Sequence, residues 1–230
     1  MINNILNIGI PSKGRLRKDV LNIFKKRKLK LTSERGERDL LASIKGKKHI
    51  KIIYLHAREI IQRLGEGSLD LGFSGIDLLK ESEINIQNKI SVTKKYNFGI
   101  AKLVVAIPDE WIDVQTIADL EEIAFEFKDK KKKRLRVATK YPNLTREFLF
   151  SKGVTQFKLV SSLGATEAYP FTESSEIITD ITSTGETLKA NNLRILKDGE
   201  ILKSEACMMV SRLSVKKKAL KSLTKLLSKD

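Results

Sequence analysis

The chain has 230 residues, 41% of them hydrophobic, which is enough for one or two domains with a real core. Its one cysteine, Cys207, excludes an intrachain disulfide, and with only His49 and His56 beside it the chain has too few ligands for a closed His/Cys zinc site. The formal charge of +16 favours polyanionic partners, namely nucleic acid, phosphorylated metabolites or an acidic protein surface.

Residues 1–9 lack the basic start and long apolar stretch of a signal peptide, and no stretch approaches a membrane span. The expectation is a soluble cytoplasmic protein. Much of the charge sits in two runs, Lys130-Lys131-Lys132-Lys133-Arg134 and Lys216-Lys217-Lys218. Neither is interleaved with aromatics, so both read as solvated faces rather than a stacking platform for single strands.

Strand-like and helix-like segments alternate along the chain. A strand is predicted over residues 5–10 and an amphipathic helix over 16–24, with Leu16, Val20, Ile23 and Phe24 on one face. A β-rich run covers 50–55. A helix over 57–64 is closed by Gly65 and Gly67. A short strand at 69–73 leads into a helix start at 75–79.

The apolar run 98–107 ends at Pro108, and 117–127 reads as helix. Strands follow at 135–139 and 157–161, with a helix at 142–151 between them that Pro142 opens. Residues 193–196 and 206–210 are predicted strands. A last helix over 214–227 puts Ala219, Leu220, Leu223, Leu226 and Leu227 on one face. This order predicts an α/β architecture of two small sheets with a cleft, divided as residues 1–97 plus 190–230 and residues 98–189.

Ligands of such sheets bind where strand ends turn into helices. Five turns of that kind carry suitable residues. Ser12-Lys13-Gly14-Arg15 puts two cations at a helix start, a place for phosphate or pyrophosphate. Around Asp70, Gly72, Ser74 and Gly75, glycines at a strand end allow close approach of either a ligand or a packing helix. Ala138 through Arg146 offers donors from Asn143 or Thr145 at the helix start and charge from Lys140 and Arg146. In Gly164-Ala165-Thr166-Glu167, the carboxylate of Glu167 suits a sugar hydroxyl or a metal.

The fifth turn says most. Ile177-Ile178-Thr179-Asp180 reads as a buried strand that delivers a carboxylate. Thr182-Ser183-Thr184-Gly185-Glu186-Thr187 then turns into a helix start at Leu188. Main-chain N–H groups at a helix start suit an anion, hydroxyls add donors, and Gly185 lets the backbone come close. Asp180 can accept from ribose hydroxyls. The reading is a cradle for a phosphoribosyl group, though an ordinary junction with a Thr cap has the same local pattern.

In order along nearly the whole chain, five segments are similar to those of one family. They are Pro11-Ser12-Lys13-Gly14-Arg15-Leu16; Asp70-Leu71-Gly72 with Gly75 and Asp77; Arg136 through Arg146; Gly164-Ala165-Thr166-Glu167; and Asp180 through Asn191. The chain resembles the short form of ATP phosphoribosyltransferase. That resemblance implies two α/β domains like those of type II periplasmic binding proteins. It implies transfer of the phosphoribosyl group of phosphoribosyl pyrophosphate to N1 of ATP, with Mg²⁺, as the first step of histidine biosynthesis.

The resemblance implies that Asp180, Ser183, Thr184, Gly185, Glu186, Thr187 and Leu188 hold phosphoribosyl pyrophosphate. ATP falls to Lys13, Gly14, Arg15, Asp70, Gly72 and Ser74, with Lys13 and Arg15 facing either the pyrophosphate or the ATP phosphates. Lys13, Arg15, Glu167 and Asp180 are the catalytic candidates, and no protein side chain is assigned to metal. A homodimer is implied, working with a regulatory subunit like a histidyl-tRNA synthetase, since long forms continue past the point where this sequence stops.

One departure from the family pattern stands out. His56 occupies a place where members often carry arginine, and Arg58 lies two residues on. Two rival classes remain: an α/β anion- or solute-binding protein without catalysis, and a nucleic-acid binder suggested only by charge.

Overall fold

A computed structural model describes residues 5–33, 39–214 and 218–229. The chain divides into two units, residues 1–99 with 205–230 and residues 100–204.

Unit 1 opens with β1 (Leu6–Pro11), α1 (Gly14–Lys26), β2 (Leu31–Thr32), β3 (Leu41–Ile44) and β4 (Lys47–Leu55). It continues through α2 (Ala57–Glu66), β5 (Leu71–Gly75), α3 (Ile76–Glu81), α4 (Ile84–Gln87) and β6 (Ile90–Lys95). Unit 2 contains β7 (Ala101–Pro108), α5 (Ile117–Lys131), β8 (Leu135–Thr139), α6 (Pro142–Ser151) and β9 (Phe157–Ser161), then β10 (Ile177–Thr182), α7 (Glu186–Ala190) and β11 (Leu193–Ser204). The chain then returns to unit 1 with β12 (Ala206–Ser211) and α8 (Lys218–Leu227). Lys216 and Lys217 of the second basic run lie outside the described residues.

The first sheet runs β2-β3-β4-β1-β5-β12-β6. β1 lies parallel to β4 and β5, while β12 runs antiparallel to β5 and β6. Both faces are covered. Leu6, Ile8, Ile10 and Met208 pack with Val20 and Phe24 of α1 and with Leu220, Leu223 and Leu227 of α8. Cys207 and Met209 pack on the other face with Ile60, Ile61 and Leu64 of α2. Strand side chains alternate, so a strand covered on both faces reads as one unbroken apolar run, which is why β12 is legible.

The second sheet runs β11-β7-β10-β8-β9, with β10, β8 and β9 parallel and β7 antiparallel to both its neighbours. Val105, Val137 and Ile177 face Leu120 of α5 and Leu149 of α6. Val104, Ala138 and Ile178 face Leu188 of α7. α5 starts at a capping box, in which the Thr116 hydroxyl accepts from Asp119 N and the Asp119 carboxylate accepts from Thr116 N. It runs on to Lys131, so the first basic run begins inside its last turn, where cations suit the helix dipole.

The expected domain division needs correcting at both joins, and residues 98 and 99 belong to unit 1. Residues 190–204 belong to unit 2, not to unit 1, because β11 pairs with β7 from Leu193↔Pro108 to Ser204↔Ala101.

Candidate active site

In unit 2 the phosphoribosyl candidate is built where two parallel neighbours end. β8 and β10 pair with Thr179 opposite Thr139. Side chains alternate, so Thr179 points to the α6 side of the sheet and Asp180 to the side that carries Leu188 of α7.

Asp180 is half-buried, and its Oδ1 accepts from Ile181 N at 2.8 Å. Burial pushes its carboxyl above the usual value. The Ile181 N–H, the Lys140 ammonium and the Thr166 hydroxyl each pull the other way, and the charge of Glu167 adds to the upward push. Asp180, Lys140, Glu167 and Thr166 therefore share one neighbourhood. Lys140 and Thr166 were not among the predicted site residues. Both stand in turns after strands, where Lys140 was expected to add charge, whereas Thr145, expected to present a donor there, is fully buried with its hydroxyl paired to Thr139 and Thr179.

Glu167 sits in a single 3₁₀ turn, Thr166–Ala168, entered through Ala165 at φ 23°. Buried hydroxyls hold that turn. Ser162 Oγ donates to Gly164 O at 2.8 Å and lies 2.9 Å from Thr166 Oγ1.

The predicted cradle is a tight loop. Gly185 N donates to Thr182 Oγ1 at 2.9 Å, and Glu186 N to Thr184 Oγ1 at 3.4 Å. Gly185 has φ +80°, the left-handed region that glycine adopts freely. Ser183, Thr184, Glu186 and Thr187 are exposed, while buried Leu188 anchors α7 in the core. Among the described residues, the N–H groups of Thr187 and Leu188 have no acceptor. Two free amides and three exposed hydroxyls can serve one anion. Glu186 is the least suited of the set, since its carboxylate repels phosphate and its amide is already used.

In unit 1, Lys13 and Arg15 are exposed at the start of α1 and make no hydrogen bond or ion pair among the described residues. Gly14 between them has φ +82° and open space around it. Beside this turn lies a hollow of about 650 Å³ lined by Lys13, Arg17, Lys18, Ser33, Asp39 and Tyr54, among others. Arg17 lies 4.8 Å over the Tyr54 ring and donates to Ser12 O at 3.0 Å.

Asp70, Gly72 and Ser74 are placed differently from the expectation that they contact ATP. Asp70 is 2% exposed at the amino end of β5, where its carboxylate accepts from Asn7 N at 2.8 Å. A Cβ on Gly72 would come 2.4 Å from Ile60 Cγ2, so this glycine lets α2 pack against the strand. Ser74 is fully buried and donates to Ala57 O at 2.9 Å. All three are built into the packing of β5 with its neighbours. His56 caps α2, its Nδ1 accepting from Arg58 N at 3.3 Å, and both side chains are exposed.

Comparison with known proteins bears on both units. A family model described as ATP phosphoribosyltransferase (HisG) matches residues 56–229. The ATP phosphoribosyltransferase of Brucella melitensis biotype 2 is 41% identical over 210 residues, which cover 91% of each chain. That of Nitrobacter winogradskyi is 44% identical over 207 residues, spanning 90% of this chain and 64% of the relative. A chain of the Thermotoga maritima ATP phosphoribosyl transferase (HisG:HisZ) complex is similar in structure, with a TM-score of 0.75 at 28% identity, covering 97% of this chain and 96% of that one. The substrate binding protein of an amino acid ABC transporter reaches a TM-score of 0.56 at 14% identity, covering 97% of this chain and 91% of its own, which is a likeness of fold alone.

Proposed function

Because this chain belongs to the ATP phosphoribosyltransferase family, we propose that it moves the phosphoribosyl group of phosphoribosyl pyrophosphate onto N1 of ATP. The products are N1-(5-phosphoribosyl)-ATP and pyrophosphate, and the step opens histidine biosynthesis. It is a pentosyl-transferring enzyme. The observation that carries the assignment of the phosphoribosyl end is the loop 182–188, with its free amides of Thr187 and Leu188 beside Asp180.

The bond from the anomeric carbon to the pyrophosphate oxygen breaks, and a bond from that carbon to N1 of the adenine forms. Positive charge builds on the ribose ring between these events. Asp180 accepts from the ribose hydroxyls and places its negative charge next to that ring. The loop amides and the Ser183, Thr184 and Thr187 hydroxyls grip the 5-phosphate. The carboxylate of Glu167 takes a ribose hydroxyl or an outer place around Mg²⁺. Lys13 and Arg15 answer the charge of the pyrophosphate or of the ATP phosphates. Catalysis is then positioning and electrostatics, with no protein nucleophile.

Mg²⁺ fits this set as a companion of the substrate. It binds through one or two carboxylates plus phosphates and water, and Asp180 and Glu167 are two such neighbours. Among the described residues no cluster of three metal-binding side chains occurs. When bound, Mg²⁺ neutralises the departing pyrophosphate.

We also propose a homodimer, a HisZ-like regulatory partner and a cytoplasmic location. The Thermotoga complex supports the partner. Among the described residues no helix is long and apolar enough to cross a membrane. The test is pyrophosphate release from ATP plus phosphoribosyl pyrophosphate, with each substrate omitted in turn, with and without the regulatory subunit and histidine. Release that depends on both substrates is expected. Saturable binding of either without release, under all conditions, overturns the reading in favour of a solute-binding protein.

A further inference from the structure

Three threonines from β8, α6 and β10 meet on the sheet face opposite Asp180: two lie six residues apart and the third is 34 residues beyond. Thr139 ends β8, Thr145 lies near the start of α6, and Thr179 immediately precedes Asp180 in β10. The Thr139 and Thr145 hydroxyls are 3.2 Å apart, those of Thr145 and Thr179 are 2.6 Å apart, and Thr179 donates to Thr139 at 2.6 Å. Their exposures are 2%, 0% and 0%.

Counting protons shows how the cluster closes. Each hydroxyl has one hydrogen to give and two lone pairs. The three contacts are all satisfied if Thr179 donates to Thr139, Thr139 to Thr145, and Thr145 to Thr179. Thr139 Oγ1 also accepts from Tyr141 N at 2.8 Å, which uses its second lone pair and bends the chain at Lys140. One ring thus fastens the end of β8, the start of α6 and the middle of β10.

The surroundings make this choice of residues informative. Val137, Leu149 and Ile177 pack against the same face. Three more apolar side chains there would hold the elements together without burying hydroxyls, which is unfavourable unless every one is paired. Hydrogen bonds have direction where apolar packing has little, so the ring fixes spacing as well as contact. Its two strand members stand next in sequence to Lys140 and Asp180, the opposite charges of the candidate site.

We propose that the Thr139–Thr145–Thr179 hydroxyl ring is a positioning device for phosphoribosyl transfer, setting Lys140 and Asp180 relative to each other from the far side of the sheet. The proposal rests on the transfer reading above. The three threonines are positioning residues, since they act through their neighbours and do not touch substrate.

Thr145→Val keeps the branched shape and opens two of the three ring bonds. Thr145→Ser keeps the hydroxyl and loses a methyl. Thr145→Ala serves in place of the valine variant if that one does not fold. Each is assayed by pyrophosphate release with both substrates varied, and by thermal unfolding. The valine variant is expected to lose about tenfold or more in kcat/KM for phosphoribosyl pyrophosphate, with KM for ATP within about twofold of wild type. The serine variant is expected to stay within about threefold of wild type even where its Tm falls as far. A folded valine variant with wild-type kcat/KM overturns the proposal, as does a serine variant as slow as the valine one. A wild-type protein that releases no pyrophosphate overturns the transfer reading instead.

Discussion

Asp180→Asn separates what the carboxylate does for catalysis from what it does to the fold. A hydrogen bond to a charged group contributes about 1.5–3 kcal/mol, roughly twice a neutral one. The asparagine oxygen still accepts from Ile181 N and from ribose, so the variant loses the charged share, about 1–2 kcal/mol. That predicts a fall in kcat/KM for phosphoribosyl pyrophosphate of about 5- to 30-fold.

Stability should move the other way. Burial raises the Asp180 carboxyl above its ordinary 3.8, so the folded chain holds that proton more tightly than the unfolded one. Stability therefore falls as pH rises from the ordinary value through the raised one, and at neutral pH the charge opposes folding. The asparagine variant should be as stable as wild type or more so at neutral pH, and its advantage should shrink in acid. The assays are pyrophosphate release and thermal unfolding across pH. Unchanged kcat/KM would refute the role in transfer. A neutral-pH Tm lower by more than about 4 °C, on the order of 1 kcal/mol for this chain length, would mark Asp180 as a structural anchor instead.

Gly185→Ala meets no steric obstacle, its nearest neighbour being Ile195 Cδ1 at 4.0 Å, so its effect is conformational. At φ +80° it should lose roughly 1 kcal/mol and raise KM for phosphoribosyl pyrophosphate while leaving ATP affinity alone; equal shifts in both constants would contradict a local cradle. Gly72→Ala should lower stability by about 1–3 kcal/mol in urea titrations, because the new methyl overlaps Ile60; an unchanged midpoint would argue that α2 is free to shift. Backbone and hydroxyl bonds from Gln115 and Thr116 hold Asp119 below its ordinary 3.8, so its stabilising effect is full above that value and fades as pH drops through the lowered one. The Tm gap between wild type and Asp119→Asn should accordingly close in acid, and a gap that persists there would remove the ionised cap as its cause.

The well-read parts of the sequence are those where local chemistry and tertiary packing agree. The strands at Leu135–Thr139 and Phe157–Ser161 and the helix at Pro142–Ser151 have the predicted bounds, marked by Pro142 and, at Leu135–Thr139, by an apolar run covered on both faces. Leu31–Thr32, Leu41–Ile44 and Ile90–Lys95 were not predicted as strands. They are short or half-polar and lie at or near the margins of their sheet, where one side meets water and the apolar signal thins.

The domain division misplaced residues 190–204, where the predicted strand stops at 196, short of the run Lys197-Asp198-Gly199-Glu200. In the fold it is a bulged part of β11, with Asp198 accepting from Ile117 N at the start of α5. Among site residues, the Asp180 loop was legible because strand, carboxylate, hydroxyls and glycine are consecutive. The threonine ring was not, since two of its three bonds span 34 and 40 residues and no local pattern announces them. Asp70 and Gly72 looked like a ligand turn because burial and ligand approach select the same residue types there.

The second unit is an insertion in the first, and the seam is already stitched. Tyr96 N donates to Ala206 O at 2.9 Å and Ala206 N to Phe98 O at 3.0 Å, continuing the ladder between β6 and β12. Cutting out residues 100–204 would thus leave two ends held side by side, close enough for a tight hairpin of a few residues to splice them. Each lobe is in this sense a separable cassette, and the molecule lends itself to grafting one half onto the other half of a relative.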